Sequence, residues 1–437
     1  MSETIFALSS APGRAGVAVI RVSGTGAGSV LIGLTGAALP QPRLAVLRRL
    51  ADASGEVIDQ GLVLWLPGPK SFTGEDMAEF HVHGGRAIVE AVLAAIGATP
   101  RCRPAEPGEF TRRAVENGKF DFTQAEAIID LIDADTEAQR RQAVRQYQGS
   151  LSGLYEGWRG RLIRALAWAE AAIDFSDEEL PDDVFARSKS EVFEIYKEIE
   201  FHLSDAGRGE LVRDGLFLTV IGPPNAGKSS LINALAKRDV AIVAETAGTT
   251  RDVIEVRLNI RGYAVIVADT AGLRAAADAV ESEGVRRALA RAEQSDLVLL
   301  LLDGSAAEPF AGLPEGIAAK ADLIAWNKAD LPSPAPRAGL TLSLKTGDGL
   351  DALLAGIERQ VAQRLDRPAE PPILTRARHR HALEQAAAAL ARGRDAKEPE
   401  LFAEDLRLAV RAIGRITGRV DVEELLDVVF RDFCIGK

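Results

Sequence analysis

The sequence has few cysteines, no long hydrophobic run and no excess of positive charge. Cys102 and Cys434 are the only cysteines among 437 residues. Two are too few for a disulfide framework or a four-thiolate zinc site, which favours a reducing compartment. The longest aliphatic run, residues 297–302, has six residues, whereas a membrane-spanning helix needs about 20. The sequence therefore predicts a cytoplasmic protein without a membrane segment.

The distribution of charge argues against a generally basic surface. Lys and Arg total 52 and Asp and Glu total 63, a net charge of −11. Residues 119–210 alone carry 11 basic and 20 acidic residues, a net charge of −9. A nucleic-acid partner must therefore be bound by local basic patches. The N-terminus has an acidic residue at Glu3 and no basic residue before Arg14, unlike a secretory signal or an Arg-rich transit peptide.

The patterning of the chain predicts a multidomain protein of mixed α+β and α/β class. Residues 1–118 alternate strand-like runs (17–22, 62–66 and 78–82) with Gly- and Pro-rich turns, which is typical of an α+β domain. Residues 119–210 have helical periodicity, and a capping-box signature at Thr123 and Glu126 predicts a helix start at Thr123. Residues 211–368 alternate strands and helices, as in a doubly wound α/β domain.

Residues 369–437 begin within a Pro-rich linker at residues 367–372 and are then helical again. This segment is short, and its helices have apolar faces to bury. The simplest arrangement packs it against residues 119–210 as one helical domain in two sequence halves. The α/β domain is then inserted between the halves, which autonomous domains with neighbouring termini tolerate.

A phosphate-binding loop is predicted at residues 222–229, GPPNAGKS, between the strand-like LFLTVI and the helical SLINALA. Its glycines let backbone N–H groups turn towards phosphate oxygens at a helix N-terminus. Lys228 is expected to bridge the β- and γ-phosphates, and the Ser229 hydroxyl to ligate Mg²⁺. The strand–loop–helix context supports this interpretation over a chance Gly-rich turn.

Further GTPase motifs are present in the same segment. Residues 269–272, DTAG, offer a carboxylate that can hold Mg²⁺ through water and a glycine amide that can sense the γ-phosphate. Residues 327–330, NKAD, end in Asp330, whose carboxylate can accept hydrogen bonds from guanine N1–H and N2–H₂ together. Residues 247–250, AGTT, form a candidate switch whose Thr250 can close on Mg²⁺, and residues 343–345, SLK, take the place of the usual Ser-Ala-Lys. These motifs predict a GTPase.

The residue after DTAG departs from a common GTPase pattern. Many GTPases have a glutamine there that orients the attacking water, but here the residue is Leu273. Glu281 and Glu283 are candidates for positioning the water. Arg251, Arg274 or a bound cation are candidates for supplying positive charge.

Several longer segments resemble the tRNA modification GTPases of the MnmE family, also called TrmE. These are GPPNAGKSSLINAL (222–235), AETAGTTRDVIE (244–255), SFTGEDMAEFHVHGG (71–85) and ITGRVDVEELLDVVFRDFCIGK (416–437). The resemblance implies an N-terminal domain that forms a homodimer and binds a tetrahydrofolate, 5-formyl or 5,10-methylene, beside a helical domain and an inserted GTPase domain. It also implies a heterotetramer with the flavoprotein MnmG. The complex would add an aminomethyl-type (carboxymethylaminomethyl) group to C5 of the wobble uridine of certain tRNAs.

The motifs and the resemblance together assign site residues. Lys228 and Glu281 are the expected catalytic residues, with Glu281 orienting the water. Ser229 and Thr250 are expected to hold Mg²⁺, and the resemblance implies a K⁺ site at Asn225, Ala244, Thr246 and Thr249. It implies folate contacts at Arg21, Glu79, Lys119 and Lys437. The expected GTP-binding set is Asn225, Ala226, Gly227, Lys228, Ser229, Ser230, Ala244, Glu245, Thr246, Ala247, Gly248, Thr249, Thr250, Asp269, Thr270, Ala271, Gly272, Asn327, Lys328, Asp330, Ser343, Leu344 and Lys345.

Two features near the C-terminal end have two interpretations each. Cys434 is either a small apolar residue packed on the core or a thiol near the folate and the target base. Arg407, Arg411, Arg415 and Arg419 recur every four residues and share one helix face. That face is either solvated or in contact with tRNA phosphates.

Two other classes of GTPase are alternatives. A ribosome-assembly GTPase would be expected to carry an RNA-binding module such as a KH domain with its GXXG loop, and residues after 373 show no such loop. A membrane-remodelling GTPase would need a basic amphipathic segment, whereas residues 119–210 are acidic.

Overall fold

A computed structural model describes most of the chain. The described residues are 3–174, 184–205, 207–242, 255–268, 295–314, 316–334, 339–366 and 374–420, together with residues 426, 429, 430, 433 and 436. They form two compact units. The first unit comprises residues 1–129, 146–195 and 385–437, and the second comprises residues 130–145 and 196–384. The bounds of the four predicted segments (1–118, 119–210, 211–368 and 369–437) stay predictions.

The first unit contains a six-stranded sheet in the order β3-β4-β5-β2-β1-β6. Its strands are β1 (Thr4–Leu8), β2 (Ala15–Ser23), β3 (Val46–Ala51), β4 (Val57–Leu66), β5 (Met77–Gly84) and β6 (Cys102–Pro104). Only β1 and β6 pair in parallel; the other neighbours are antiparallel. Alternate residues such as Ile20, Val22 and Phe80 are fully buried, as expected for strands with one face on a core.

The helices among the described residues are numbered in sequence order. They are α1 (Ala27–Thr35), α2 (Arg86–Gly97), α3 (Glu109–Glu116), α4 (Phe122–Ile132), α5 (Glu137–Tyr147), α6 (Ser150–Asp174), α7 (Val184–Leu203), α8 (Arg208–Asp214), α9 (Lys228–Ala236), α10 (Ile317–Lys320), α11 (Leu350–Leu365), α12 (Ala377–Asp395) and α13 (Pro399–Thr417). In the first unit, α1 and α2 cover one face of the sheet: Val30 and Leu31 of α1 and Val92 and Ile96 of α2 join its buried core.

The predicted helix start at Thr123 is wrong. Helix α4 begins at Phe122, and the Asp121 side chain accepts a hydrogen bond from the Gln124 N–H at 2.9 Å. Asp121 therefore caps the helix. The Thr123 hydroxyl donates to the same Asp121 carboxylate at 2.8 Å, and Glu126 is buried. The helix starts earlier than the capping-box pattern indicates because Asp121 is the better-placed acceptor.

Apolar residues near the C-terminal end pack against α4. Phe122 and Ala125 form a buried cluster with Leu426, Val429, Phe430 and Phe433. Gly108 lies against this cluster, because a Cβ built on it would be 2.8 Å from Cβ of Phe433. Residues of the first and last segments of the chain thus share one core in the first unit.

The second unit contains a seven-stranded sheet in the order β13-β12-β11-β7-β10-β9-β8. Its strands are β7 (Leu216–Ile221), β8 (Ala241–Ile242), β9 (Glu255–Ile260), β10 (Tyr263–Ala268), β11 (Leu297–Asp303), β12 (Leu323–Asn327) and β13 (Leu340–Thr341). Strands β10, β7, β11, β12 and β13 are parallel, and β8 and β9 add an antiparallel edge at the other end of the sheet. Residues 297–302 of β11 are all buried, which is typical of a parallel strand covered on both faces.

The predicted mixed class is confirmed: the first unit has a mostly antiparallel α+β sheet and the second a mainly parallel α/β sheet. Within the part of the chain that the structure describes, none of the helices is both long and apolar enough to span a bilayer.

Candidate functional site

The phosphate-binding loop joins the end of β7 to the start of α9. Asn225 and Gly227 have positive φ angles of 61° and 103°, a conformation that favours glycine. Space is also restricted. A Cβ on Gly222 would be 2.0 Å from the Leu301 carbonyl oxygen, and one on Gly227 would be 2.4 Å from Nδ2 of Asn327. Glycine is therefore required at both positions, and the loop ends at a helix N-terminus suited to phosphate.

Lys228 begins α9, and its ammonium group bends back over this loop. Its Nζ donates hydrogen bonds to the carbonyl oxygens of Gly222 and Pro223, at 2.8 and 2.9 Å. The positive charge is therefore held at the loop where phosphates are expected. Ser229 and Ser230 follow in the first turn of the helix.

Asn327 connects the phosphate loop to the predicted guanine site. Its Nδ2 donates to the Ala226 carbonyl oxygen at 2.7 Å, and its Oδ1 accepts from the Leu344 N–H at 3.1 Å. The Asn327 side chain is buried. One side chain thus fixes the distance between the GPPNAGKS, NKAD and SLK segments.

Asp330 and Ser343 form the other side of the guanine site. The Ser343 hydroxyl donates to Oδ1 of Asp330 at 2.7 Å. This hydrogen bond, with nearby Lys345 and Lys328, lowers the pKa of Asp330. The carboxyl group therefore stays ionised at neutral pH and acts only as an acceptor, which is the form that pairs with guanine N1–H and N2–H₂.

Asp303 is a residue of this site that the sequence analysis missed. It ends β11 directly beside Asn327 in the sheet register, and its Oδ2 lies 2.6 Å from Nζ of Lys328. Burial raises the pKa of Asp303, but hydrogen bonds from Lys328 and Ser305 outweigh that effect and lower it overall. Asp303 therefore anchors Lys328, which has a positive φ of 64°. An acidic residue at the carboxyl end of a central parallel strand was the available signal.

In the first unit, Arg21 and Glu79 are paired. They face each other across β2 and β5, and Nε of Arg21 donates to Oε1 of Glu79 at 3.0 Å. The Arg21 guanidinium carbon lies 5.2 Å from the centre of the Phe72 ring, within the range of cation–π attraction. His81 adds a contact, with Nε2 3.4 Å from Oε2 of Glu79. The result is a half-buried ion pair beside an aromatic ring.

Of the other predicted folate residues, Lys119 is described and Lys437 lies outside the described residues. Lys119 donates from Nζ to the Pro69 carbonyl oxygen at 2.9 Å. The ring of its neighbour Phe120 lies 5.5 Å from that of Phe72, tilted by 52°, and Phe72 is the ring that Arg21 approaches. Gly436 precedes Lys437 and packs on the end of β1: the Ser9 hydroxyl donates to the Gly436 carbonyl oxygen at 2.9 Å.

The remaining predicted site residues lie outside the described residues. They are Ala244, Glu245, Thr246, Ala247, Gly248, Thr249, Thr250, Asp269, Thr270, Ala271, Gly272, Glu281, Cys434 and Lys437. The roles of the switch, of DTAG, of Glu281 and of Cys434 therefore stay predictions. Within the described residues, no group of three or more His, Cys, Asp or Glu side chains could hold a metal ion.

Comparison with known proteins identifies relatives along the whole chain. Residues 4–119 match the family described as GTP-binding protein TrmE N-terminus, and residues 122–434 match the MnmE helical domain. A protein of Paramagnetospirillum magneticum named tRNA modification GTPase MnmE is 55% identical over 443 residues, covering 100% of both chains. A protein of Parvibaculum lavamentivorans with the same name is 54% identical over 442 residues and also covers 100% of both. Among solved structures, the G domain of the T. maritima FeoB iron transporter is 25% identical, covers 33% of this chain and 98% of its own, and has a TM-score of 0.27.

Proposed function

The chain belongs to the MnmE family of tRNA modification GTPases, and from this premise we propose how its two sites divide the work. It is a GTP hydrolase that acts in tRNA modification. We propose that the second unit hydrolyses GTP with Mg²⁺ and K⁺. The first unit then uses a folate one-carbon unit to add an aminomethyl-type (carboxymethylaminomethyl) group to C5 of the wobble uridine in the cytoplasm.

GTP binding by the second unit is supported best by the two hydrogen bonds of the Asn327 side chain. They join the phosphate-binding loop to the segment predicted to bind guanine. The loop suits phosphate, because Asn225 and Gly227 have positive φ angles and the loop ends at the N-terminus of α9. Lys228 would lie at the β- and γ-phosphates, Ser229 and Thr250 at Mg²⁺, and Asp330 at the guanine edge. The metal ion supplies positive charge to the phosphates when bound.

The proposed K⁺ site is centred on Asn225, whose backbone has a positive φ of 61° in the phosphate-binding loop. In the proposal its side chain and oxygens of Ala244, Thr246 and Thr249 hold K⁺, and Glu281 orients the water. The rival is an arginine, Arg251 or Arg274, that supplies the charge instead.

The folate part is supported by the chemistry of the Arg21–Glu79 pair. A pterin ring has an amidine-like edge that suits a carboxylate such as Glu79, a flat face that suits Phe72, and an anionic tail that suits Arg21 or Lys119. The contact of Gly436 with the end of β1 supports a place for Lys437 at the same site. A reduced folate supplies the one-carbon unit when bound.

The proposal includes a homodimer of the first unit and a complex with the flavoprotein MnmG. Exposed apolar side chains on the sheet support the homodimer. Leu47 and Leu62 face each other across β3 and β4 and are 56% and 43% exposed. A second copy would remove this apolar area from water, which is favourable.

Nucleoside mass spectrometry tests the proposed function. Transfer RNA from a strain lacking the protein should contain unmodified wobble uridine at positions modified in the parent. Return of the wild-type gene should restore the modification, whereas a gene encoding Glu79→Ala should not. Purified protein should also bind a reduced folate. An unchanged nucleoside profile in the deletion strain would refute the assignment, and absence of folate binding would refute the role given to Arg21 and Glu79.

A further inference from the structure

Helices α12 and α13 border an open groove of about 350 Å³ in the first unit. Its floor includes three alanines, Ala388, Ala389 and Ala412, and its charged lining residues are Arg392, Arg411 and Arg415. Among the residues that the structure describes, those lining the groove include no Asp or Glu. We refer to it as the arginine groove.

The walls of the groove are held by packing beneath it. Leu390 of α12 is fully buried, as are Phe402, Leu406 and Ile413 of α13. A Cβ on Gly393 would lie 3.5 Å from the Phe402 ring, so the two helices approach closely. The groove is therefore a fixed shape rather than a gap between loose side chains.

Helix α13 is also fastened to α6 along its length. The Thr417 hydroxyl donates to Oε1 of Glu156 at 2.6 Å, and Arg407 pairs with Glu170 at 2.9 Å. Rising residue numbers on α13 meet falling numbers on α6, so the two helices are antiparallel. The arginines of the groove are thus carried on a braced helix.

The positions of the three arginines suit an extended anion. Arg411 and Arg415 are four residues apart on α13 and project from the same face. Arg392 faces them from α12, and its Nε donates to Oδ1 of Asp405 at 3.0 Å. That hydrogen bond orients the Arg392 guanidinium, whose side chain is still 57% exposed.

Arg407 provides an internal comparison. It lies on the same helix but outside the groove, and it pairs with both Glu170 and Glu404. Arg407 is therefore a control for an arginine of the same helix that does not line the groove.

We propose that the arginine groove binds the phosphodiester backbone of the tRNA substrate. The inference rests on the proposed function for the identity of the RNA. Guanidinium groups make bidentate hydrogen bonds to phosphate oxygens, and the three small alanines between the arginines leave space beside them. Because the chain has a net charge of −11, RNA must be attracted locally, and this groove supplies a local concentration of positive charge.

The test measures binding of purified tRNA to the full-length protein at several KCl concentrations. The double variant Arg411→Gln/Arg415→Gln should bind at least about tenfold more weakly at the lowest salt. Its slope of log affinity against log salt should be shallower by about one to two units, as expected for losing one or two phosphate contacts. The control variant Arg407→Gln should bind as the wild type does. Basal GTP hydrolysis should be the same in all three proteins.

A second variant separates charge from folding. Arg411→Lys/Arg415→Lys keeps both positive charges and should keep most of the salt slope, even if affinity falls with the loss of bidentate geometry. The proposal is overturned if the glutamine variant keeps wild-type affinity and slope, or if Arg407→Gln loses as much. It is also overturned if the wild-type protein does not bind tRNA, whereas the proposed function then still depends on the nucleoside analysis. Normal tRNA binding with a weakened flavoprotein complex would assign the groove to a protein partner and overturn the proposal.

Discussion

Replacing Asn327 by alanine should weaken the nucleotide site and its domain together. The side chain is only 4% exposed and makes two hydrogen bonds, to the Ala226 carbonyl oxygen and from the Leu344 N–H. Alanine cannot make either bond. Two backbone polar groups then lose their partner.

The size of the effect follows from the burial of those groups. An unsatisfied buried donor or acceptor costs about 1–3 kcal/mol. Ala226 is fully buried, so leaving its carbonyl oxygen without a partner should cost an amount in the upper part of that range. Leu344 is half-buried, so leaving its N–H without a partner should cost an amount in the lower part of the range. Together we expect the free energy of unfolding to fall by about 2–4 kcal/mol, with weaker GTP binding because the two motif segments are no longer held together.

Urea unfolding and GTP titration of the purified variants provide the assay. Asn259→Ala is a matched control, because Asn259 accepts one hydrogen bond, from the Gly262 N–H, in an exposed turn. It should change the free energy of unfolding by about 1 kcal/mol or less. Asn327→Asp keeps an acceptor for Leu344 but loses the donor to Ala226, and it should be at least as destabilised as the alanine variant. Wild-type stability and GTP affinity in Asn327→Ala would show that the bridge does not organise the site.

Four other perturbations test separate parts of the molecule. Asp330→Asn should weaken GTP binding and strengthen binding of xanthosine triphosphate, which has a carbonyl oxygen where guanine has N2; unchanged GTP affinity contradicts the guanine assignment. Glu79→Ala should abolish tRNA modification while basal GTP hydrolysis stays near wild type, and loss of both with misfolding would indicate a structural role. GTP hydrolysis should be faster in K⁺ than in Na⁺ and lose this preference in Asn225→Ala, whereas equal rates in the two salts point to an arginine. Burial lowers the pKa of His202 from 6.5 to about 4, so the unfolded state binds a proton first as pH falls. The free energy of unfolding should therefore fall by about 2 kcal/mol between pH 7 and pH 5 because of this residue. In urea unfolding at the two pH values, the His202→Gln variant should show a smaller fall than the wild type.

The nucleotide site could be predicted from the sequence because its chemistry is local. The phosphate loop needs glycine where Gly222 and Gly227 approach other backbone and side-chain atoms, and such a requirement is visible in eight consecutive residues. The mainly parallel sheet was predictable for a similar reason, since β11 is a continuous apolar run. Strand-like runs in the first segment likewise fall within β2, β4 and β5.

What the sequence could not supply depends on register and on distant pairing. Arg21 and Glu79 are 58 positions apart, and only the register of β2 with β5 makes them an ion pair. Asp303 forms an ion pair with Lys328 because β11 and β12 are adjacent in the sheet. The amino-acid sequence alone does not show which strands are adjacent. The cap of α4 was misassigned because Asp121 and Thr123 are both good capping residues, and local geometry decided between them.

The contact between Ser9 and Gly436 determines when the first unit can complete its folding during synthesis. The two residues are 427 positions apart. A ribosome adds about 5–20 residues per second, so Gly436 is made roughly 20–90 s after the strand it packs on. During that interval the second unit is synthesised in full and can fold on its own core. The contact that completes this end of β1, and with it the proposed folate site, therefore forms only after the second unit has been synthesised.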